Sequence, residues 1–214
     1  PRSFGHREGV EALRRTVEVI GEFGVKYLTV YGFSTENWRR PPEEVEALLE
    51  LLRLYVGRDL ERLVRDGVNV RIVGERAGLA PDIADIIDRA QSRTAHNEKL
   101  YLTIAFNYGA RAEILRAVRA IAAEAAAKGE APIIDETLFA TKLDTAGAPD
   151  PDLVIRTSGE QRMSNFLLWQ AAYAELLFLD VLWPDFDKAA LADAIETYRR
   201  RDRRFGGAAR DAAT

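Results

Sequence analysis

Apolar side chains recur every third or fourth position along five stretches of this chain, and they crowd into five short runs between those stretches. The periodic stretches predict helices over residues 8–23, 42–65, 81–96, 110–128 and 188–204. The short runs are mostly apolar, with β-branched or aromatic residues, and predict strands over 26–32, 68–74, 100–107, 152–156 and 176–180. Pro42, Glu43 and Glu44 suit a first helical turn, where proline loses no hydrogen bond and acids meet the positive end of the dipole. Gly129 closes the Ala-rich stretch before it. Strand and helix alternate through most of the sequence, so the expected fold is α/β: a mostly parallel central sheet flanked by helices, in one domain spanning 1–214.

Composition narrows the partners. Thirty Lys and Arg stand against 34 Asp and Glu, a net charge of -4, without the basic excess that marks nucleic-acid binding. With no cysteine there is no disulfide, no Cys-ligated metal and no thiol nucleophile, which fits a cytoplasmic protein. The most apolar stretch, 166–183, is interrupted by Gln170, Glu175 and Asp180 and reads as core, not as a membrane span.

In a parallel α/β sheet, ligands bind beyond the carboxyl ends of the strands. After the first predicted strand comes Gly32-Phe33-Ser34-Thr35-Glu36-Asn37-Trp38-Arg39-Arg40-Pro41. Its hydroxyls and guanidiniums suit a phosphate; the alternative is a helix cap beside a solvated charge run. After the fourth comes Arg156-Thr157-Ser158-Gly159-Glu160-Gln161-Arg162-Met163-Ser164-Asn165. Two arginines six apart again suit an anion, with backbone amides around Gly159 as further donors; the alternative is a turn with solvated arginines. Glu175, amid Trp169, Tyr173, Leu176 and Phe178, needs an arginine or a metal as partner, and spacing alone does not choose. His6 and His96 are too far apart to read as a zinc site.

These loops resemble the signature loops of the cis-prenyltransferases. The first matches over Gly32–Pro41, the second over Ile155–Gln170. Tyr173-Ala174-Glu175-Leu176, Trp183-Pro184-Asp185-Phe186, Arg203-Arg204-Phe205-Gly206-Gly207, Phe4-Gly5-His6 and Asn107-Tyr108-Gly109 match as well. The resemblance implies repeated condensation of isopentenyl diphosphate onto an allylic diphosphate, magnesium dependence, a homodimer, an apolar tunnel for the growing chain and peripheral membrane contact for product release. It implies that Arg156, Arg162 and Ser164 hold the isopentenyl diphosphate, with Met163 also substrate-binding. Ser34, Thr35, Glu36, Trp38 and Arg40 would line the reaction centre, with Arg2 and His6 near the allylic diphosphate. Asn37 is the residue the family pattern assigns to proton removal, although a carboxamide is a very weak base and suits positioning better. Glu175 matches a family magnesium ligand.

Tunnel-lining candidates are Val45, Leu48, Leu49, Leu52, Leu102 and Ile104. Gln161 stands where histidine is common and Ser158 where glycine is common. The family also carries a strand and an Asp-Gly-Asn-Gly-Arg-Trp loop ahead of the segment matched here, and the resemblance implies about 20–30 residues of this kind before Pro1. Two competing readings remain. A non-catalytic partner subunit of the same superfamily would lose Ser34, Glu36, Asn37, Trp38 and Arg40, which are present. A phosphatase or nucleotide binder would need a glycine-rich phosphate loop, which the sequence lacks.

Overall fold

The computed structural model describes residues 2–201, with side chains from residue 7 onward. The expected Arg2 and His6 side chains and the 203–207 ending lie outside the described residues. Six helices, α1 (Arg2–Ile20), α2 (Pro42–Arg65), α3 (Pro81–Thr94), α4 (Ala110–Lys128), α5 (Glu136–Ala140) and α6 (Lys188–Arg199), surround five strands. These are β1 (Tyr27–Ser34), β2 (Val68–Val73), β3 (Leu100–Tyr108), β4 (Leu153–Arg156) and β5 (Glu175–Phe178).

All strand pairing is parallel, as the alternating pattern predicts. The strands form two sheets, β1-β3-β2 and β4-β5, where one was expected. β3 is central and buried on both faces, which explains its mostly apolar run. One face of the larger sheet presents Leu28, Val30, Leu102, Ile104, Val70 and Ile72 to the main core. α2 covers that core with Val45, Leu49, Leu52, Val56, Leu60 and Leu63, spaced by three and four so that one stripe faces inward. The tunnel candidates Val45, Leu49, Leu52, Leu102 and Ile104 are thus core residues, and Leu48 packs against them. A cavity of about 330 Å³ lies elsewhere, against Tyr27, Asn69, Arg71, Tyr101 and Thr103 on the opposite sheet face.

Several boundaries differ from expectation, among them the first helix, which begins at Arg2, the last helix, which ends at Arg199, and the last strand, which spans Glu175–Phe178. β1 runs on to Ser34 because register irregularities at Phe33 keep it paired to β3 as far as Tyr108. α1 tightens into a 3₁₀ turn at Gly21–Phe23, and α3 ends at Thr94, whose hydroxyl donates to the Ala90 carbonyl at 2.8 Å and accepts the Val70 amide at 2.9 Å, tying the helix end to β2. The five-residue α5, capped by Asp135 at 2.8 Å from the Leu138 amide, is too short to show a period in sequence.

Candidate active site

β1, β3 and β4 bring their carboxyl ends to one place. A 3₁₀ helix, Thr35–Arg39, follows β1 directly. Inside it the Asn37 Oδ1 accepts the Ser34 backbone N–H at 2.9 Å. The carboxamide oxygen is the group's acceptor, so this bond fixes its orientation and turns the NH₂ outward. Trp38 leans edge-on against Phe33, ring centres 5.1 Å apart, and its indole N–H donates to Asn107 Oδ1 at 2.7 Å. Asn107 itself sits at φ +50° and donates to the Glu75 carbonyl at 2.8 Å. Arg40 turns back along α2 to Glu44, 2.8 Å away.

The second loop is wound tightly. Ser158, Gly159, Ser164, Asn165 and Leu167 all have φ between 42° and 69°, a left-handed conformation costly for non-glycine residues that concentrates at functional sites. Ser158 occupies such a position at φ 69°, which accounts for the glycine common there in the family. The expectation that amides around Gly159 serve as anion donors is corrected. Ser158 N–H donates to the Val181 carbonyl at 2.8 Å and Gly159 N–H to the Leu179 carbonyl at 2.9 Å, so both are committed to the segment after β5. Phe166 N–H donates to the Met163 carbonyl at 3.0 Å, and Arg162, largely exposed, pairs with Glu160.

The two loops meet where Asn165, not among the sequence candidates, reaches the candidates Glu36 and Thr35. Asn165 Nδ2 donates to Glu36 Oε1 at 2.9 Å, and Thr35 Oγ1 donates to Glu36 Oε2 at 3.3 Å. Burial pushes the Glu36 carboxyl up, but the hydrogen bonds from Asn165, its own backbone, Ser34 and Thr35 outweigh burial and hold it below the usual range. Tyr31 donates to the Tyr108 carbonyl at 3.1 Å, lies 3.5 Å from the Ser164 carbonyl and stacks on Phe166 at 4.6 Å. Burial and then the Glu36 charge raise the Tyr31 phenol to about 12, and Arg156 works against that rise from the end of β4. Arg39, Arg111 and Arg156 have no carboxylate partner among the described residues. Such guanidiniums are available to an anion.

Beneath the loops lies a buried brace. Glu113 on α4 is fully buried; it accepts Tyr108 Oη at 2.5 Å, the Asp144 amide at 2.9 Å and Gln170 Nε2 at 3.1 Å. Burial, then the bond and charge of Glu113, raise the Tyr108 phenol. This ties the end of the second loop to β3 and α4.

Glu175 lies apart from all of this. It opens β5 opposite Leu153, three positions before the Arg156–Phe178 pair, so about 10 Å of strand separates it from the loop end. Its carboxylate accepts from Arg201 Nη1 at 2.6 Å. An arginine is one of the two partners the sequence left open.

Residues 1–206 match the Prenyltransf family model, whose description reads "Putative undecaprenyl diphosphate synthase". An isoprenyl transferase of Caulobacter vibrioides is 59% identical over 99% of this chain and 82% of that protein. One from Agrobacterium fabrum is 53% identical over 100% and 87%. Among solved structures, lavandulyl diphosphate synthase from Lavandula x intermedia, in complex with dimethylallyl diphosphate, superposes with a TM-score of 0.92 at 34% identity, covering 96% of this chain and 89% of that one. A "probable undecaprenyl diphosphate synthase" from Campylobacter jejuni gives 0.83 at 33% identity, covering 94% and 92%.

Proposed function

The chain belongs to the undecaprenyl diphosphate synthase family of prenyltransferases, and on that premise we propose that it adds isopentenyl diphosphate repeatedly to an allylic diphosphate, with farnesyl diphosphate as primer. The product would be a long polyprenyl diphosphate such as undecaprenyl diphosphate, the precursor of the lipid carrier for cell-wall synthesis. The observation that carries this reading is the interlock of the two strand-end loops through Glu36 and Asn165, with Arg156 beside them.

Arg156, Arg162 and Ser164 form the isopentenyl diphosphate side of the proposed site, with Met163 as a further substrate-binding residue. Ser34, Thr35, Glu36, Trp38 and Arg40 form the other, with Arg2 and His6. Charge builds on the departing diphosphate as the allylic carbon–oxygen bond breaks, and fixed guanidiniums stabilise it without reorganising. The isopentenyl double bond then attacks the allylic carbon, and a proton leaves the adjacent carbon. Asn37 is poorly placed to take that proton, because its acceptor oxygen already holds the Ser34 amide. In this reading it positions a substrate oxygen through its NH₂.

Magnesium takes oxygen ligands, usually one or two carboxylates plus substrate phosphates. The described residues do not assemble such a set. Glu36 is held by Asn165 and Thr35, Glu175 by Arg201, and no group of three His, Cys, Asp or Glu comes together among them. Magnesium dependence is expected from the family alone. Among the described residues β1 pairs only with β3 and β4 only with β5.

The exposed Leu115 and Val118 on α4, with Ile133 and Ile134 beyond it, support a homodimer. No described helix is long and apolar enough to cross a membrane; the proposed cytoplasmic location and peripheral membrane contact follow from the family. A coupled assay of diphosphate release tests the reading: release should require isopentenyl diphosphate and an allylic diphosphate together. Release from the allylic substrate alone would mean hydrolysis instead.

A further inference from the structure

Two loops that each hold one diphosphate make a prenyl transferase only if the offset between them is fixed, because the reacting carbons must sit within bonding approach. One side chain spans that offset. Asn165 donates through Nδ2 to Glu36 in the first loop at 2.9 Å, and its Oδ1 accepts the Arg111 amide at 2.9 Å. Its backbone carbonyl accepts the Ala110 amide at 2.8 Å. It thereby satisfies two of the N–H groups that α4 leaves open at its first turn, where Gly109 supplies no side-chain cap.

The position makes three demands at once. The backbone is left-handed, at φ 62°, which among side-chain-bearing residues favours Asn and Asp. The α4 amide needs an acceptor and the Glu36 carboxylate needs a donor. Glycine meets only the first demand, and aspartate meets the first two. Glutamine offers both polar groups but resists the backbone. Asparagine alone meets all three.

We propose that Asn165 is the positioning residue that sets the offset between the two substrate loops, holding Glu36 on one side and the first turn of α4 on the other. The inference rests on the prenyl-transfer reading above. Each diphosphate keeps its own loop contacts when the bridge is broken, so the loss falls on alignment, and hence on kcat, more than on either KM.

The test is a double-mutant cycle of Asn165→Asp and Glu36→Gln. Asn165→Asp keeps the left-handed backbone and the acceptor for Arg111 but sets one carboxylate against another. Glu36→Gln supplies an NH₂ that re-forms the bridge in the reverse sense. In the wild-type background Asn165→Asp should lower kcat roughly tenfold to a hundredfold, the scale of one charge-assisted hydrogen bond. In the Glu36→Gln background the same change should cost less than about threefold, with both KM values moving less than about threefold in either background. Rates are scaled to the folded fraction from urea unfolding. Equal cost in the two backgrounds, or a loss carried by KM, overturns the assignment. The same cycle read in urea midpoints needs no turnover. Absence of coupling there also overturns the Asn165 assignment, whereas intact coupling in a protein that transfers no prenyl group overturns the activity reading instead.

Discussion

Gly109→Ala separates close approach from backbone freedom. Gly109 precedes α4 with φ -157°, an extended conformation that alanine adopts without strain. A Cβ there would stand 2.7 Å from both Asn165 Nδ2 and Thr35 Oγ1, 0.7 Å inside the 3.4 Å edge of ordinary contact. If Asn165 yields by that amount directly away from Glu36, its 2.9 Å bond lengthens to about 3.6 Å, beyond hydrogen-bonding range. Overpacking costs about 1–3 kcal/mol, while alanine returns about 0.4–1 kcal/mol by stiffening the unfolded chain. The net loss is roughly 0–2.6 kcal/mol, and at about 2–4 °C per kcal/mol for a chain of this size the melting temperature falls by no more than about 10 °C. Turnover is hit harder. Loss of the Glu36 bond predicts a kcat lower by roughly tenfold to a hundredfold. Thermal melting and steady-state kinetics on the same preparation check both numbers. A variant that melts higher than wild type and keeps its kcat would show that the entropy term acts alone and that the interlock has no role in turnover.

Arg156→Ala should raise KM for isopentenyl diphosphate roughly tenfold to a hundredfold while leaving the primer's KM within about threefold, as read from initial rates with each substrate varied. Trp38→Phe leaves the Asn107 oxygen without its indole donor, and chemical denaturation should register a loss of about 1–3 kcal/mol. Glu175→Gln removes a half-exposed ion pair with Arg201 and should cost no more than about 1 kcal/mol; a magnesium titration of the same variant separates that role from ligation, whose loss raises the magnesium requirement. The Glu36 carboxyl is held below its ordinary range in the folded protein, so its contribution to stability is complete above the unfolded value and is lost as pH falls through the folded one. Urea midpoints of wild type and Glu36→Gln should accordingly differ near about pH 7 and converge toward about pH 3.

Local chemistry was legible in the sequence, and long-range closure was not. The first loop announced itself because hydroxyls, an acid, an amide and two guanidiniums followed a strand directly. α2 was legible end to end because its apolar stripe, proline start and first-turn acids agree. Asn165 was quoted within a loop yet not singled out, because its value lies in Glu36, 129 residues earlier in the chain, and in the α4 amides. Ser158 and Gly159 read as amide donors because nothing local reveals that Leu179 and Val181 return to claim those N–H groups. The environment of Glu175 demanded a partner, but only folding brings Arg201, 26 residues on, into reach. The division into two sheets is likewise a matter of pairing, which strand-like runs do not encode individually.

The central claim, that this chain elongates an allylic diphosphate with isopentenyl units, is tested most directly by incubating the natural protein with radiolabelled isopentenyl diphosphate, magnesium and farnesyl diphosphate, then resolving the products by chain length. The account predicts label in polyprenyl diphosphates many units longer than the primer, with none formed when the primer is omitted or a chelator is added. A folded protein that incorporates no label with farnesyl, geranyl or dimethylallyl diphosphate would contradict it.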